Sequence, residues 1–79
     1  MVTFAQIREI LRRRAILELT DGLTMVAIVL DVQEDVKENH VVYQLVEIRS
    51  PGRAKRPALK AGEHYATDIA EFARVAVSE

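Results

Sequence analysis

The chain lacks cysteine and tryptophan, and its aromatic residues are two tyrosines and two phenylalanines. Without cysteine, neither disulfides nor thiolate metal sites can stabilise the fold. A domain of 79 residues has a core that barely offsets chain entropy, so association with further copies is the stabilising device that is left. We therefore expect a single domain over residues 1–79 that forms a homo-oligomer in a reducing compartment, the cytoplasm.

Long apolar runs and a strong net charge are also missing. The longest apolar run, MVAIVL at residues 25–30, is too short to cross a bilayer, and charged residues stand where a signal peptide needs apolar ones. The formal net charge of −1 gives no field over the whole molecule that would attract a polyanion. We expect a soluble protein with no membrane partner, in which any nucleic-acid surface depends on local charge.

Groups that usually carry catalysis or hold metals are scarce. The serines are Ser50 and Ser78, and the sequence shows no nucleophile with a base, no phosphate-binding glycine loop and no paired acids in an apolar context. His40 and His64 lack metal-ligand spacing, so we expect both to have structural roles in strands. The sequence therefore predicts no enzyme activity, no cofactor and no metal site.

The N-terminal segment MVTFAQIREILRRR has the pattern of a helix. Thr3 and Gln6 form a candidate capping box, and apolar residues recur behind it at helical spacing. We expect a helix over about residues 3–14, closed by a hydrophobic staple between Val2 and Ile7. Its last turn would place three cations at the negative end of the helix dipole: Arg12, Arg13 and Arg14.

Three strands are predicted in the middle of the chain. Asp21-Gly22 is a strong hairpin signal between a strand with alternating polarity and the apolar run at 25–30, which indicates a strand covered on both faces. Residues 40–48, HVVYQLVEI, are rich in β-branched residues and predict the third strand.

Residues 64–77 allow two interpretations. One is a single amphipathic helix. The other, which the alternation in residues 72–77 favours, is a strand at 64–67, a helical turn at 68–71 capped by Asp68, and a last strand at 72–77.

This order of elements resembles the Sm-like small barrel. The matching stretches are LELTDGLTMVAIVLDVQEDVKENHVVYQLVEI and HYATDIAEFARVAV, and the resemblance covers roughly residues 3–77. Transcription-associated barrels of the WYL type share a similar outline. The resemblance implies a mainly β fold: a five-stranded barrel over about residues 15–77 with an N-terminal α-helix, assembled into a homo-oligomer such as a ring.

The resemblance also implies a function. Most Sm-like proteins bind single-stranded RNA on one face of a ring, and Asp35 and Asn39 match the aspartate and asparagine of the family's base pocket. The chain has no Arg-Gly pair before the fifth strand, and Ala27 stands where the family usually has glycine.

A basic loop, residues 49–60 with the sequence RSPGRAKRPALK, contains five cations and no acid: Arg49, Arg53, Lys55, Arg56 and Lys60. We expect a turn at Ser50-Pro51-Gly52, with Pro57 preventing regular pairing. Five phosphate contacts would give a log-log salt slope of about −3.5 on a single strand. The alternatives are a solvated loop and docking onto an acidic partner.

A second basic group lies in the N-terminal segment. The members of this second group are Arg8, Arg12, Arg13 and Arg14. If the second group shares a face with the basic loop, the two groups form one basic patch. We expect a module that binds RNA or single-stranded nucleic acid. The alternative is a protein-interaction or scaffolding module with no nucleic-acid ligand.

Overall fold

The computed structural model describes residues 1–35, 37, 39–56 and 58–78. The elements are α1 (Phe4–Glu9), β1 (Arg14–Leu19), β2 (Leu23–Glu34), β3 (Asn39–Pro51), β4 (His64–Asp68), a 3-10 turn (Ile69–Glu71) and β5 (Phe72–Val77). The five strands form one antiparallel sheet in the order β4-β3-β2-β1-β5. The prediction of a mainly β fold with an N-terminal helix is confirmed.

The predicted capping box starts helix α1. The Thr3 hydroxyl accepts a hydrogen bond from the Gln6 backbone N–H at 3.3 Å, and the Gln6 side chain accepts one from the Thr3 N–H at 2.8 Å. Val2 and Ile7, the predicted staple pair, are both buried. The sequence therefore predicts the beginning of this helix correctly.

The predicted end of the helix at residue 14 is wrong, because α1 ends at Glu9. Arg12 has a left-handed backbone with φ 64, and its N–H donates to the Val29 carbonyl of β2 at 2.7 Å. Arg14 already belongs to β1, opposite Ile28. The arginines at positions 12–14 thus lie beyond the last helical turn, since pairing with β2 outweighs their local helix propensity.

The hairpin of β1 and β2 matches its prediction. Asp21 and Gly22 lie in the turn, and the side chains of Ala15, Leu17 and Leu19 are buried on alternate positions of β1. In β2 burial is consecutive over residues 25–27, whereas Ile28 and Leu30 are half-buried, so the prediction of a strand covered on both faces over residues 25–30 is confirmed only for its first half.

The C-terminal segment adopts the second of its two interpretations, and the single helix is wrong. β4, the 3-10 turn and β5 follow one another, and the Asp68 carboxylate caps the turn by accepting from the Ala70 N–H at 2.8 Å. His40 is half-buried near the start of β3, and His64 is exposed at the start of β4.

The sheet curls so strongly that strands far apart in its order meet. The ring centroids of Tyr43 on β3 and Phe72 on β5 are 6.3 Å apart in an edge-to-face arrangement. In a flat sheet three strand spacings, about 14 Å, would separate them. Register shifts between β2 and β3 and between β1 and β5 accompany this curvature. Both rings belong to one buried apolar cluster.

Two edges remain in the described part of the sheet. β4 pairs only with β3, and β5 pairs only with β1, so the strand ladder does not close between β4 and β5. Within residues 1–35, 37, 39–56 and 58–78, no helix is long and apolar enough to span a membrane.

Candidate nucleic-acid interface

The basic loop is more ordered than its sequence indicates. Arg49, Ser50 and Pro51 belong to β3, where Ser50 lies opposite Thr24 and Pro51 opposite Leu23. The predicted turn at Ser50-Pro51-Gly52 is therefore wrong for its first two residues. β2 extends the ladder to this point, and proline is tolerated because β4 pairs with β3 only over residues 40–44, so Pro51 lies on a free edge of the described sheet. The prediction for Pro57 lies outside the described residues.

Asp21 anchors the chain that follows β3. Its backbone carbonyl accepts from the Arg53 N–H at 3.1 Å, and its carboxylate accepts from the N–H groups of Ala54 at 3.1 Å and Leu23 at 3.2 Å. The same carboxylate forms an ion pair with the Arg56 guanidinium. Because these side chains are only 19% and 27% exposed, the pair is sheltered from solvent. We call this set of contacts the Asp21 clasp.

The clasp stabilises the ionised form of Asp21. Partial burial alone raises the pKa of this carboxyl, but the hydrogen bonds from Leu23 and Ala54 and the Arg56 charge outweigh burial and hold the pKa below its ordinary value of 3.8. Asp21 is therefore ionised at neutral pH, as its ion pair requires.

Gly52 allows the loop to approach the clasp. Its φ is +74, and a Cβ there would lie 2.8 Å from both the Asp21 carboxylate and the Leu23 backbone nitrogen. Only glycine has both the backbone freedom and the space that this position needs.

The five cations of the basic loop differ in their partners. The Arg56 guanidinium is bound to Asp21, and the Arg49 guanidinium lies 3.5 Å from the carboxylate of Glu47 on the exposed strand surface. Three others are exposed and form no ion pair within the described chain: Arg53, Lys55 and Lys60. These three carry the positive charge that remains available to a ligand.

Tyr65 of β4 is a functional candidate that sequence reasoning missed. Its hydroxyl accepts a hydrogen bond from the Lys60 N–H at 2.8 Å, and its ring lies 6.1 Å from that of Tyr43, centroid to centroid. The basic loop has no aromatic residue of its own, which counts against base stacking when the sequence is considered alone. Tyr65 lies in the strand predicted at residues 64–67, but the sequence gives no sign of this contact.

Tyr43 is a buried core residue that packs against the Tyr65 ring. It is 2% exposed, and its hydroxyl forms a hydrogen bond of 2.9 Å with the Thr67 hydroxyl. Burial raises the pKa of Tyr43, while the bond to Thr67 opposes the rise. Tyr43 is therefore a neutral, fixed side chain behind Tyr65.

Two cavities flank the loop. One of about 400 Å³ lies between the loop and β4, and Tyr65, Thr67, Lys55 and Arg56 contribute to its lining. The other, of about 490 Å³, lies on the side of Leu23 and Ile48. Lys55, Arg56 and Leu59 line both, so the loop forms a wall shared by the two cavities.

The second basic group does not join the basic loop. Arg12 and Arg13 precede β1, and the Asp21 clasp lies beyond the opposite end of this strand. Because β1 has six residues that rise about 3.3 Å each, the two ends of the strand are roughly 20 Å apart. Arg8 is bound instead to Glu34 by an ion pair, and its guanidinium lies 5.9 Å from the centroid of the Phe4 ring. The positive charges therefore form two separate groups.

Asp35 and Asn39 also lie away from the loop. They flank the turn between β2 and β3, where Glu34 pairs with Asn39, while the loop leaves the other end of the same ladder, where Leu23 pairs with Pro51. The structure thus separates the pocket residues implied by the resemblance from the basic loop.

The described part of the chain contains no cluster of three or more histidine or acidic side chains that could hold a metal ion. None of the protein-family models, curated proteins or solved structures compared with this chain matches it.

Proposed function

We propose that this chain is a small, self-associating module of the Sm-like type that binds RNA or single-stranded nucleic acid through its basic loop. The observation that carries the proposal is the state of Arg53, Lys55 and Lys60: all three are exposed, and within the described residues none has an acidic partner. The Asp21 clasp holds the backbone at Arg53 and next to Lys55, and the Tyr65 hydroxyl accepts a hydrogen bond from the Lys60 N–H. A preorganised set of cations loses less entropy on binding than a mobile one.

The curled sheet supports the Sm-like barrel within this proposal. Five antiparallel strands follow an N-terminal helix, and Tyr43 and Phe72 meet across the interior. Closure of the barrel between β4 and β5 is the part of the proposal that goes beyond the observed ladder.

Self-association is proposed at the two open edges. Edge strands carry unpaired N–H and C=O groups that pair readily with a further strand. β5 also presents Val77, a residue that is 37% exposed. A second copy that pairs along the β5 edge would cover both the unpaired backbone groups and Val77. Head-to-tail repetition of that contact closes a ring when the rotation between neighbouring copies permits. Light scattering coupled to size-exclusion chromatography tests this directly, since a strictly monomeric protein would contradict it.

The ligand claim is tested by fluorescence anisotropy with a short labelled single-stranded oligonucleotide at low salt. We expect micromolar binding by the native chain and a loss of about tenfold or more in Arg53→Gln/Lys55→Gln. The matched control is Arg8→Gln/Arg74→Gln, which removes the same charge from exposed arginines that pair with Glu34 and Glu18. Equal losses in the two double variants would mean that net charge, and not the loop, governs binding.

A protein-interaction module is the second candidate, and one observation favours it. The cavity of about 490 Å³ beside the loop is lined by Leu23, Ile48 and Leu59, and Ile48 is 38% exposed. An apolar cavity next to Lys55 suits a peptide that carries both an apolar and an acidic side chain. If the oligonucleotide does not bind at low salt, this second candidate replaces the first.

A further inference from the structure

The cavity between the basic loop and β4 has the size and lining of a ligand site. Its volume of about 400 Å³ lies within the range of roughly 300–1,000 Å³ that is usual for pockets that bind small molecules. It is lined by residues from distant parts of the chain, among them Thr20 after β1 and Thr67 of β4. The fold therefore assembles this cavity, and no continuous stretch of sequence encodes it.

Aromatic side chains form part of the cavity wall. Tyr65 is half-buried, and it is fixed at its hydroxyl by the Lys60 N–H and along its ring by Tyr43. The hydroxyls of Tyr43 and Thr67 are bonded to each other. The wall thus offers a fixed aromatic ring, whose stacking with a planar ligand costs little conformational entropy.

Charged side chains complete the lining, and they are Asp21, Lys55, Arg56 and Glu71. Arg56 and Asp21 neutralise each other, whereas Lys55 has no acidic partner among the described residues. The Glu71 carboxylate disfavours an anion beside it, so a phosphate is expected on the Lys55 side of the cavity. A site with a fixed aromatic ring and an available ammonium group suits a ligand that combines a planar ring with an anion. A nucleotide unit has both, since any base presents a π-face and its phosphate is anionic.

We propose that this cavity holds one nucleotide of the bound strand, with its base against the Tyr65 ring and a phosphate near the Lys55 ammonium. This inference rests on the proposed function and assigns it a site. Cations alone would bind the backbone of a strand irrespective of its bases. Contact with Tyr65 adds a contribution to the binding free energy that requires a base on the strand.

The test compares a single-stranded oligonucleotide with an abasic strand of the same length and charge, both followed by fluorescence anisotropy at one salt concentration. Stacking on one aromatic ring corresponds to roughly 5- to 150-fold in affinity. We expect the base-bearing strand to bind at least about fivefold more tightly than the abasic strand. Equal affinity of the two strands overturns the nucleotide site while leaving the proposed function intact, and the absence of binding by either strand overturns both.

Two variants test whether the preference for the base-bearing strand depends on the Tyr65 ring. Tyr65→Phe and Tyr65→Leu both lose the hydrogen bond from the Lys60 N–H, but only the phenylalanine variant keeps the ring. We expect Tyr65→Phe to retain the preference for the base-bearing strand and Tyr65→Leu to lose it. Retention by the leucine variant would overturn the site. If that variant does not fold, NMR of the native chain with uridine monophosphate decides: shifts centred on Tyr65, Thr67 and Lys55 support the site, and shifts confined to the turn between β2 and β3 overturn it.

Discussion

The carboxylate of Asp21 and the guanidinium of Arg56 form an ion pair that joins the β1–β2 turn to a loop 35 residues further along the chain. The Ala54 N–H donates to the same carboxylate oxygen. One of the five loop cations therefore has a structural role, and it helps to hold the segment that carries Arg53 and Lys55. The Asp21 clasp ties residues 53–56 of the basic loop to the β1–β2 turn.

Asp21→Asn should lower the melting temperature, and the effect should depend on pH. The pKa of Asp21 is lowered in the folded state, so its carboxylate contributes stability above the ordinary pKa of 3.8, and this contribution is lost as pH falls through the folded-state pKa. The melting-temperature difference between the native chain and the variant should thus be largest near neutral pH and shrink in acid. Circular dichroism melts over this pH range measure it.

Glu63→Gln is a suitable control, because the hydrogen bonds of Glu63 with Leu45 and Lys60 are made by its backbone. The substitution removes a carboxylate and leaves these bonds in place. A difference for Asp21→Asn that stays constant down to pH values well below 3.8 would contradict a role for the carboxylate charge.

Gly52→Ala should destabilise the fold more than Gly62→Ala. Both glycines have positive φ, so both substitutions carry a backbone cost of about 1–2 kcal/mol. A Cβ at Gly52 also meets the Asp21 carboxylate and the Leu23 backbone, whereas a Cβ at Gly62 has no described atom within 4 Å. Urea unfolding of the two variants gives the comparison, and equal free energies of unfolding would refute the close approach at Gly52.

Arg12→Gln/Arg13→Gln should reduce oligonucleotide affinity much less than Arg53→Gln/Lys55→Gln. The first pair precedes β1, and the second lies beyond its opposite end beside the Asp21 clasp. Both double variants remove the same charge, so anisotropy at a single salt concentration isolates the effect of position. A larger loss from the first pair would move the binding surface to the N-terminal segment.

Thr3→Ala should cost about 1 kcal/mol of the free energy of unfolding, because it removes the hydroxyl that caps α1. Thr20→Ala is the matched control at an exposed threonine, and it should change stability by less than about 0.5 kcal/mol. Chemical denaturation measures both values, and similar values for the two variants would show that the capping box adds little to stability.

Local signals in the sequence predicted much of the fold. The capping box at Thr3, the Asp21-Gly22 turn and the Asp68 cap each involve residues within a few positions of one another, and all three are present. The helix end was wrong because Arg12 and Arg14 have competing partners in β2. The tertiary fold decides between the helix and pairing with β2, and the helical spacing of apolar residues does not indicate this outcome.

The site was predictable only in part. The cluster of charge is visible in the sequence, but the contact of Arg56 with Asp21 and the bond from Lys60 to Tyr65 appear only after the sheet has formed. The same is true of the distance between the loop and Asp35, which depends on the direction of the β2–β3 ladder. Pairing over long sequence separations determines these relationships.

The most direct test is the salt dependence of oligonucleotide binding by the native chain. With Arg56 bound to Asp21 and Arg49 beside Glu47, three loop cations remain, Arg53, Lys55 and Lys60, and three phosphate contacts give a log-log slope of about −2 on a single strand. Anisotropy titrations across a range of salt concentrations should therefore yield about −2. A slope near zero, or no binding at low salt, would contradict the assignment of the basic loop as a nucleic-acid interface.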